Sequence, residues 1–197
     1  MNSSDSVGQT FRSANILRTI NESIKTKELL KHEIPKIESA SNIIFKVLNQ
    51  GKKVLLCGNG GSASDAQHIA CELVAKLEKE RRSLPAIALT TNTSLLTAIS
   101  NDDSFELIFT RQIEGLGNQG DALIAISTSG NSKNIIKAVE TAKSKGIWTI
   151  GLTGAQGDKL AELTDICIKV PSSDTQRIQE SHILIGHIIC EFVEEKL

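Results

Sequence analysis

From Lys52 onward the chain alternates short apolar runs with helical patterns, and this alternation limits what it can fold into more than any other feature. The runs fall at 53–57 (KVLLC), 85–89 (PAIAL), 122–126 (ALIAI), 147–151 (IWTIG) and 166–170 (ICIKV). They are nearly continuous in apolar residues rather than alternating, which is the pattern of strands covered on both faces. Helical spacings separate them at about 63–79, 93–116, 132–145 and 157–163, and a last helical pattern runs from about 175 to 195. Parallel strands need crossovers of this kind, so the expected fold is α/β: an open, doubly wound, five-stranded parallel sheet. In such sheets ligands bind at the carboxyl ends of the strands, near the point where strand order reverses.

Before the first strand the pattern is different. Residues 1–9 lack periodicity, and from Phe11 to Asn49 apolar residues recur at helical spacing: Ile16, Ile20 and Ile24, then Ile37, Ile43, Ile44, Val47 and Leu48. Pro35 is expected to divide this stretch into two helices. The chain therefore reads as an N-terminal helical extension over 1–50, serving packing or oligomerisation, followed by the sheet domain over 51–197. At 197 residues it is long enough for one well-buried core. A net charge of −1 leaves no electrostatic footprint for nucleic acid or an anionic membrane, so an anionic ligand must be caught locally. No apolar segment approaches a membrane span and no signal peptide is evident, and the four dispersed cysteines form no C-x-x-C motif. A cytoplasmic protein with reduced thiols is expected.

Two loops carry most of the polar character. Gly58-Asn59-Gly60-Gly61-Ser62 and Ser127-Thr128-Ser129-Gly130-Asn131-Ser132 each follow a strand and open a helix. Such turns present unpaired backbone N–H groups at the positive end of a helix dipole, and four hydroxyls in the second loop add neutral donors for a phosphate. Helix capping by Ser and Asn explains one such loop as well as ligand binding does; two of them on strands that can be neighbours favour the ligand. Gly58-x-Gly60-x-x-Ala63 formally matches a dinucleotide fingerprint. The acidic residue that should end the next strand is missing, because that strand runs out as Leu89-Thr90-Thr91-Asn92. No Gly-Lys-Ser/Thr phosphate loop exists in the chain.

Metal and proton-transfer candidates sit on the flanking helices. His68 and Glu72 are four residues apart on one helix face, a spacing that suits metal chelation, imidazole–carboxylate pairing or plain helix stabilisation. The last helix carries Gln179, Glu180, His182 and His187. At about 100° per residue, Glu180 and His187 nearly align, whereas Gln179 lies about 80° from His187 and His182 points elsewhere. Periodicity by itself thus selects Glu180 with His187. Asn101-Asp102 stand in a polar break after the second strand, where an ordinary turn also explains them.

Taken in order, these segments resemble the sugar isomerase (SIS) domain, and within it the bacterial phosphoheptose isomerases. The resemblance rests on Cys57-Gly-Asn-Gly-Gly-Ser62, Asp65-Ala-x-His68-x-x-x-Glu72-Leu, Ala98-Ile-x-Asn-Asp102, Ser127-Thr-Ser-Gly-Asn-Ser132, Leu152-Thr-Gly154 and Arg177-Ile-Gln-Glu180-x-His182 through His187. It implies a flavodoxin-like sheet and an aldose–ketose isomerase. The reaction would interconvert D-sedoheptulose 7-phosphate and D-glycero-D-manno-heptose 7-phosphate through a cis-enediolate, towards ADP-heptose for lipopolysaccharide or other surface glycans. The matched positions imply zinc held by His68, Glu72, Gln179 and His187. They imply sugar-phosphate contacts from Asn59, Gly60, Gly61, Ser62, Glu72, Asn101, Asp102, Ser127, Thr128, Ser129, Ser132 and Gln179. Glu72 would be the base and His187 its acid/base partner, in a homotetramer whose sites are completed by neighbouring subunits. A carboxylate that is both ligand and base has to loosen its metal contact during turnover.

The sequence departs from the family pattern at Lys76, where Arg is usual on the site helix, and at Gln176, Ser100, Ser104 and Asn92. Two other functions compete: a non-catalytic SIS protein of the kind that binds a replication initiator, and an isomerase of another phosphosugar. The first lacks the metal and acid/base set that this chain retains.

Overall fold

The computed structural model describes residues 4–197, and side chains from residue 13 onward. Helix α1 (Ser4–Leu30) leads through a short 3₁₀ turn (Lys31–Glu33) into α2 (Ile34–Asn49). Pro35 sits in the first turn of α2, where its missing N–H costs nothing, so the division expected at this proline is observed. Residues 4–9, expected to be irregular, belong to α1, and residues 1–3 lie outside the described residues.

The remaining elements are β1 (Val54–Gly58), α3 (Gly61–Val74), β2 (Ala86–Ala88), α4 (Thr93–Asp102), α5 (Thr110–Leu116), β3 (Ala122–Ile126), α6 (Lys133–Ser144), β4 (Trp148–Gly154), α7 (Asp158–Leu163), β5 (Ile166–Val170) and α8 (Thr175–Lys196). All pairings are parallel, in the order β2-β1-β3-β4-β5. This is the flavodoxin-like order, and its reversal falls between β1 and β3. The two polar loops leave those two strands, so the topology sets them side by side.

Successive strand residues supply opposite faces. Val54, Leu56, Ile124, Ile126, Ile150 and Leu152 pack with α2, α3 and α8 in one core, while Leu55, Cys57, Leu123 and Ala125 pack with α5, α6 and α7 in the other. Ile37, Ala40, Ile44, Val47 and Leu48 of α2 belong to the first of these cores. The second half of the 1–50 extension is therefore part of the sheet domain's own packing, and α1 joins the same core at its end through Leu30. The single helix expected over 93–116 is divided: Ser104 is extended and caps the N–H of Glu106, which starts a new turn before α5.

His182 of α8 is fully buried, with the Thr153 backbone as the polar group that opposes the effect of burial on its ring. Burial lowers its pKa to about 4, so the folded protein holds it neutral. The unfolded chain binds this proton at an ordinary pKa of 6.5, so stability is lost as pH falls from about 6.5 towards 4. Thermal melts across that range are expected to show a falling Tm for the native protein and a shallower fall for His182→Leu; equal slopes would contradict the assignment.

Candidate active site

Helices α3 and α8 run parallel and unusually close. At Gly61 an added Cβ would overlap the Gln179 amide, and at Gly186 it would come within 2.6 Å of Cδ1 and Cγ1 of the buried Ile69. These two glycines permit the approach. With Gly186 against Ile69, the next residue of α8 meets its counterpart on α3: His187 Nε2 is 3.3 Å from His68 Nε2. His68 Nε2 lies in turn 3.1 Å from Glu72 Oε1. The three side chains place one ligand atom each within 4.8 Å of one another.

This cluster fits a divalent cation. Two imidazole nitrogens face each other and one carboxylate oxygen joins them, a donor set suited to zinc with an open fourth position. Tetrahedral coordination with Zn–N bonds near 2.05 Å separates ligand atoms by about 3.4 Å, close to the spacing that these side chains adopt. Gln179 is placed differently. It lies eight residues before His187, about 12 Å along the helix, with its amide over Gly61 at the start of α3. Within one chain the cluster therefore holds three of the four candidate ligands, and Gln179 lies at the Gly61 end of the site.

The pairing of Glu180 with His187 that periodicity selects is not formed. Glu180 accepts hydrogen bonds from the Arg177 guanidinium (2.5 Å) and the Ser23 hydroxyl (2.7 Å), and Lys27 lies 3.6 Å away. The same Arg177 donates to the carbonyl of Thr19, so this carboxylate helps to dock α1. Lys76, expected on the site helix, lies beyond its end at Val74 and pairs with Glu80 on the surface.

The loops form the other half of the site. Asn59 and Asn134 exchange two amide hydrogen bonds of 2.9 Å, tying the first loop to α6. Ser127 and Ser132 hydroxyls lie 3.1 Å apart, and Ser129 accepts from the N–H of Asn131. Neither α3 nor α6 has a side-chain cap: Gly60 offers none and Ser132 makes no capping hydrogen bond. By contrast Asn92 caps α4, and the Asp174 carboxylate caps α8. The capping role thus does not account for Ser132, and two helix N-termini remain open to an anion beside each other. Ser62, in the first turn of α3, is buried.

Thr128 and Ser129 also border a cavity of about 240 Å³ with Gln156, Ser172, Ser173 and Thr175. The last three follow β5 in the same strand-to-hydroxyl-turn pattern as the Ser127 loop, a sequence signal that sequence reasoning missed. Asn101 and Asp102 end α4, exposed and bonded to each other at 2.8 Å, with no hydrogen bond to either loop among the described residues. Asp65, one turn before His68, keeps a buried carboxylate oxygen unpartnered; burial pushes its carboxyl up and His68 opposes the shift. The buried thiols of Cys57 and Cys190 are not candidates for nucleophiles. Burial pushes Cys57 and Cys190 up to about 12.

Past the end of α3 lies a feature that the sequence does not signal. The Glu194 carboxylate of α8 accepts from the N–H groups of Leu77 (2.7 Å), Glu78 (2.9 Å) and Lys79 (3.0 Å) and from Arg81 Nε (3.0 Å). Burial alone would raise this carboxyl; the three backbone donors and the Arg81 charge outweigh it and take it down to about 2. Arg81 in turn donates to the carbonyls of Glu72 (2.7 Å) and Leu73 (2.9 Å). Both side chains are almost fully buried, so removing one partner is expected to cost about 3–5 kcal/mol.

Residues 18–154 match the SIS domain family model. Together with the sheet order and the paired loops at its reversal, this defines a SIS-domain protein. The phosphoheptose isomerase of a Nitratiruptor species is 55% identical over 179 residues, covering 86% of this chain and 96% of that protein. That of Aneurinibacillus thermoaerophilus is 56% identical over 181 residues, covering 90% and 91%. The solved phosphoheptose isomerase of Neisseria gonorrhoeae superposes with a TM-score of 0.88 at 40% identity, covering 93% of this chain and 98% of that one. The chain belongs to the phosphoheptose isomerases of the SIS-domain family, and it is an isomerase.

Gly186→Ala tests the helix contact. In an open helix the change would stabilise by about 1 kcal/mol. Here the added methyl meets the packed Ile69 side chain, and overpacking on the order of 1–3 kcal/mol should reverse the sign. A lower Tm with weakened turnover is expected; a higher Tm with full turnover would show that the helices have slack.

Proposed function

We propose that this enzyme interconverts D-sedoheptulose 7-phosphate and D-glycero-D-manno-heptose 7-phosphate, supplying heptose for surface glycans. The convergence of His68, Glu72 and His187 within 4.8 Å, next to two uncapped helix N-termini, is the observation that supports it most directly. The sugar phosphate would lie with its phosphate at the Gly60–Ser62 and Ser127–Ser132 turns, where backbone N–H groups and neutral hydroxyls replace positive side chains. Asn59, Gln179, Asn101 and Asp102 are the further contacts proposed for it.

Glu72 is the proposed base. It removes the proton from the carbon beside the carbonyl and returns it to the adjoining carbon, while His187 carries a proton between the two oxygens of the cis-enediolate. His68, Glu72 and His187 would hold zinc, with Gln179 as the fourth ligand assigned by the family's pattern. When bound, the ion polarises the carbonyl and disperses the charge of the enediolate.

The oligomer we infer is a homotetramer. Ile16, Leu17, Ile20 and Ile24 form a stripe on α1 that is 51–61% exposed, while an adjoining side of the helix is docked through Arg177 and Glu180. An apolar stripe of this size on a helix already anchored by its polar side is best covered by another subunit. All four cysteines are free, which supports the cytoplasm as the compartment; no helix among the described residues is long and apolar enough to cross a membrane.

A coupled assay with sedoheptulose 7-phosphate should show turnover that a zinc chelator abolishes and added zinc restores. No turnover by the metal-replete protein would reject the activity. Glu72→Gln should lower kcat at least a hundredfold while substrate binding stays measurable by calorimetry. For the assembly, light scattering should give a tetramer for the native chain and a smaller species for Ile20→Glu; an unchanged mass would remove α1 from the interface.

A further inference from the structure

Glu72 sits in the last turn of α3, where a helix normally frays because its final carbonyls have no intrahelical donor. A base in that position needs its backbone held from outside the helix. Arg81 does this directly: one guanidinium nitrogen donates to the Glu72 carbonyl and another to that of Leu73. The guanidinium is itself fixed by Glu194, whose two oxygens also collect the N–H groups of Leu77, Glu78 and Lys79 and turn the chain away from the helix. Glu194 follows His187 by seven residues on α8, so the two side chains leave that helix on nearly the same face, two turns apart. One helix thus engages Glu72 at both ends: His187 reaches the cluster that contains its carboxylate, and Glu194 acts through Arg81 on its backbone.

We propose that the buried Glu194–Arg81 pair is a positioning device for this reaction, fixing Glu72 at the height on α3 where its carboxylate meets His68 and His187. The inference rests on the assignment of Glu72 and His187 above. Neither Arg81 nor Glu194 touches the substrate; both act through the backbone of the base.

The test is Arg81→Lys, which keeps a positive charge for Glu194 but cannot fork to both carbonyls while holding the carboxylate. Turnover per folded protein should fall about tenfold or more with KM within twofold, since the defect lies in the alignment of the base. Zinc affinity, measured by competition with a chromophoric chelator, should weaken by about tenfold, the scale expected when a group supporting a ligand is lost. Val139→Ala, in the core on the far side of the sheet, provides a control that lowers Tm without moving kcat or zinc affinity. Glu194→Asp, which retains the charge and shortens the arm by one methylene, carries the same readouts if Arg81→Lys does not fold. Variants that lose only Tm, with kcat and zinc affinity matching the native protein, would overturn the proposal. If the native chain itself fails to turn over sedoheptulose 7-phosphate, the substrate assignment falls; zinc affinity still decides the positioning role.

Discussion

The close, parallel approach of α3 and α8 is the contact on which the site depends. Side chains on both helices would ordinarily hold their axes 8–10 Å apart. Gly61 and Gly186 remove a side chain at two levels of this contact, and the Gln179 amide and the Ile69 side chain fill the space. That exchange lets two imidazoles and a carboxylate meet although they are 119 residues apart at their widest hydrogen-bonded pair. Further along the same seam, Glu194 and Arg81 close it with a buried charge pair and a set of backbone hydrogen bonds. The seam is therefore tight at the Gly61 end, at the His68–Glu72–His187 cluster and at the helix terminus.

The sheet supplies the complementary half. Strand order reverses between β1 and β3, so their loops cannot both be covered by one crossover, and a cleft opens where α3 and α6 begin. The protein has little net charge, and its two candidate phosphate turns contain no lysine or arginine in the loops themselves. The donors available there are helix N-termini that lack side-chain caps and loop hydroxyls, of which Ser127 and Ser132 lie against each other. Where an anion is not wanted, as at the start of α8, Asp174 already occupies the position. Three other helices, α2, α5 and α7, also lack side-chain caps, so it is the position of α3 and α6 at the reversal of strand order, together with their open ends, that singles them out.

Much of this was legible from the order of residues. The strand runs at 122–126 and 166–170 coincide with β3 and β5, and the others differ by a few residues, because continuous apolar runs between helical patterns leave little freedom. His68 and Glu72 could be placed on one face from spacing alone. Periodicity failed on α8, where it favoured Glu180: the angle was right, but Arg177, Ser23 and Lys27 claim that carboxylate. It also carried α3 five residues too far, since nothing local announces that Glu194, 116 residues away from Glu78, will capture the amides of Leu77, Glu78 and Lys79. The break after Asp102 depended on Ser104 turning to cap a neighbour, a local signal that the apolar spacing of 93–116 concealed.

The sequence by itself determined the layered α/β architecture, the two Gly/Ser turns and the residue types that chemistry would need, because strand burial and helix spacing are local properties that repeat along the chain. It also determined the family, through the order of motifs no one of which is specific. Only the tertiary structure decided which of the polar side chains on α8 belong together. Two helices had to approach at glycine-sized contacts before His187 met His68, Gln179 reached Gly61 and Glu194 found the end of α3. Those pairings depend on the distance and phase between two distant helices, and no residue's own neighbours in the chain encode either quantity.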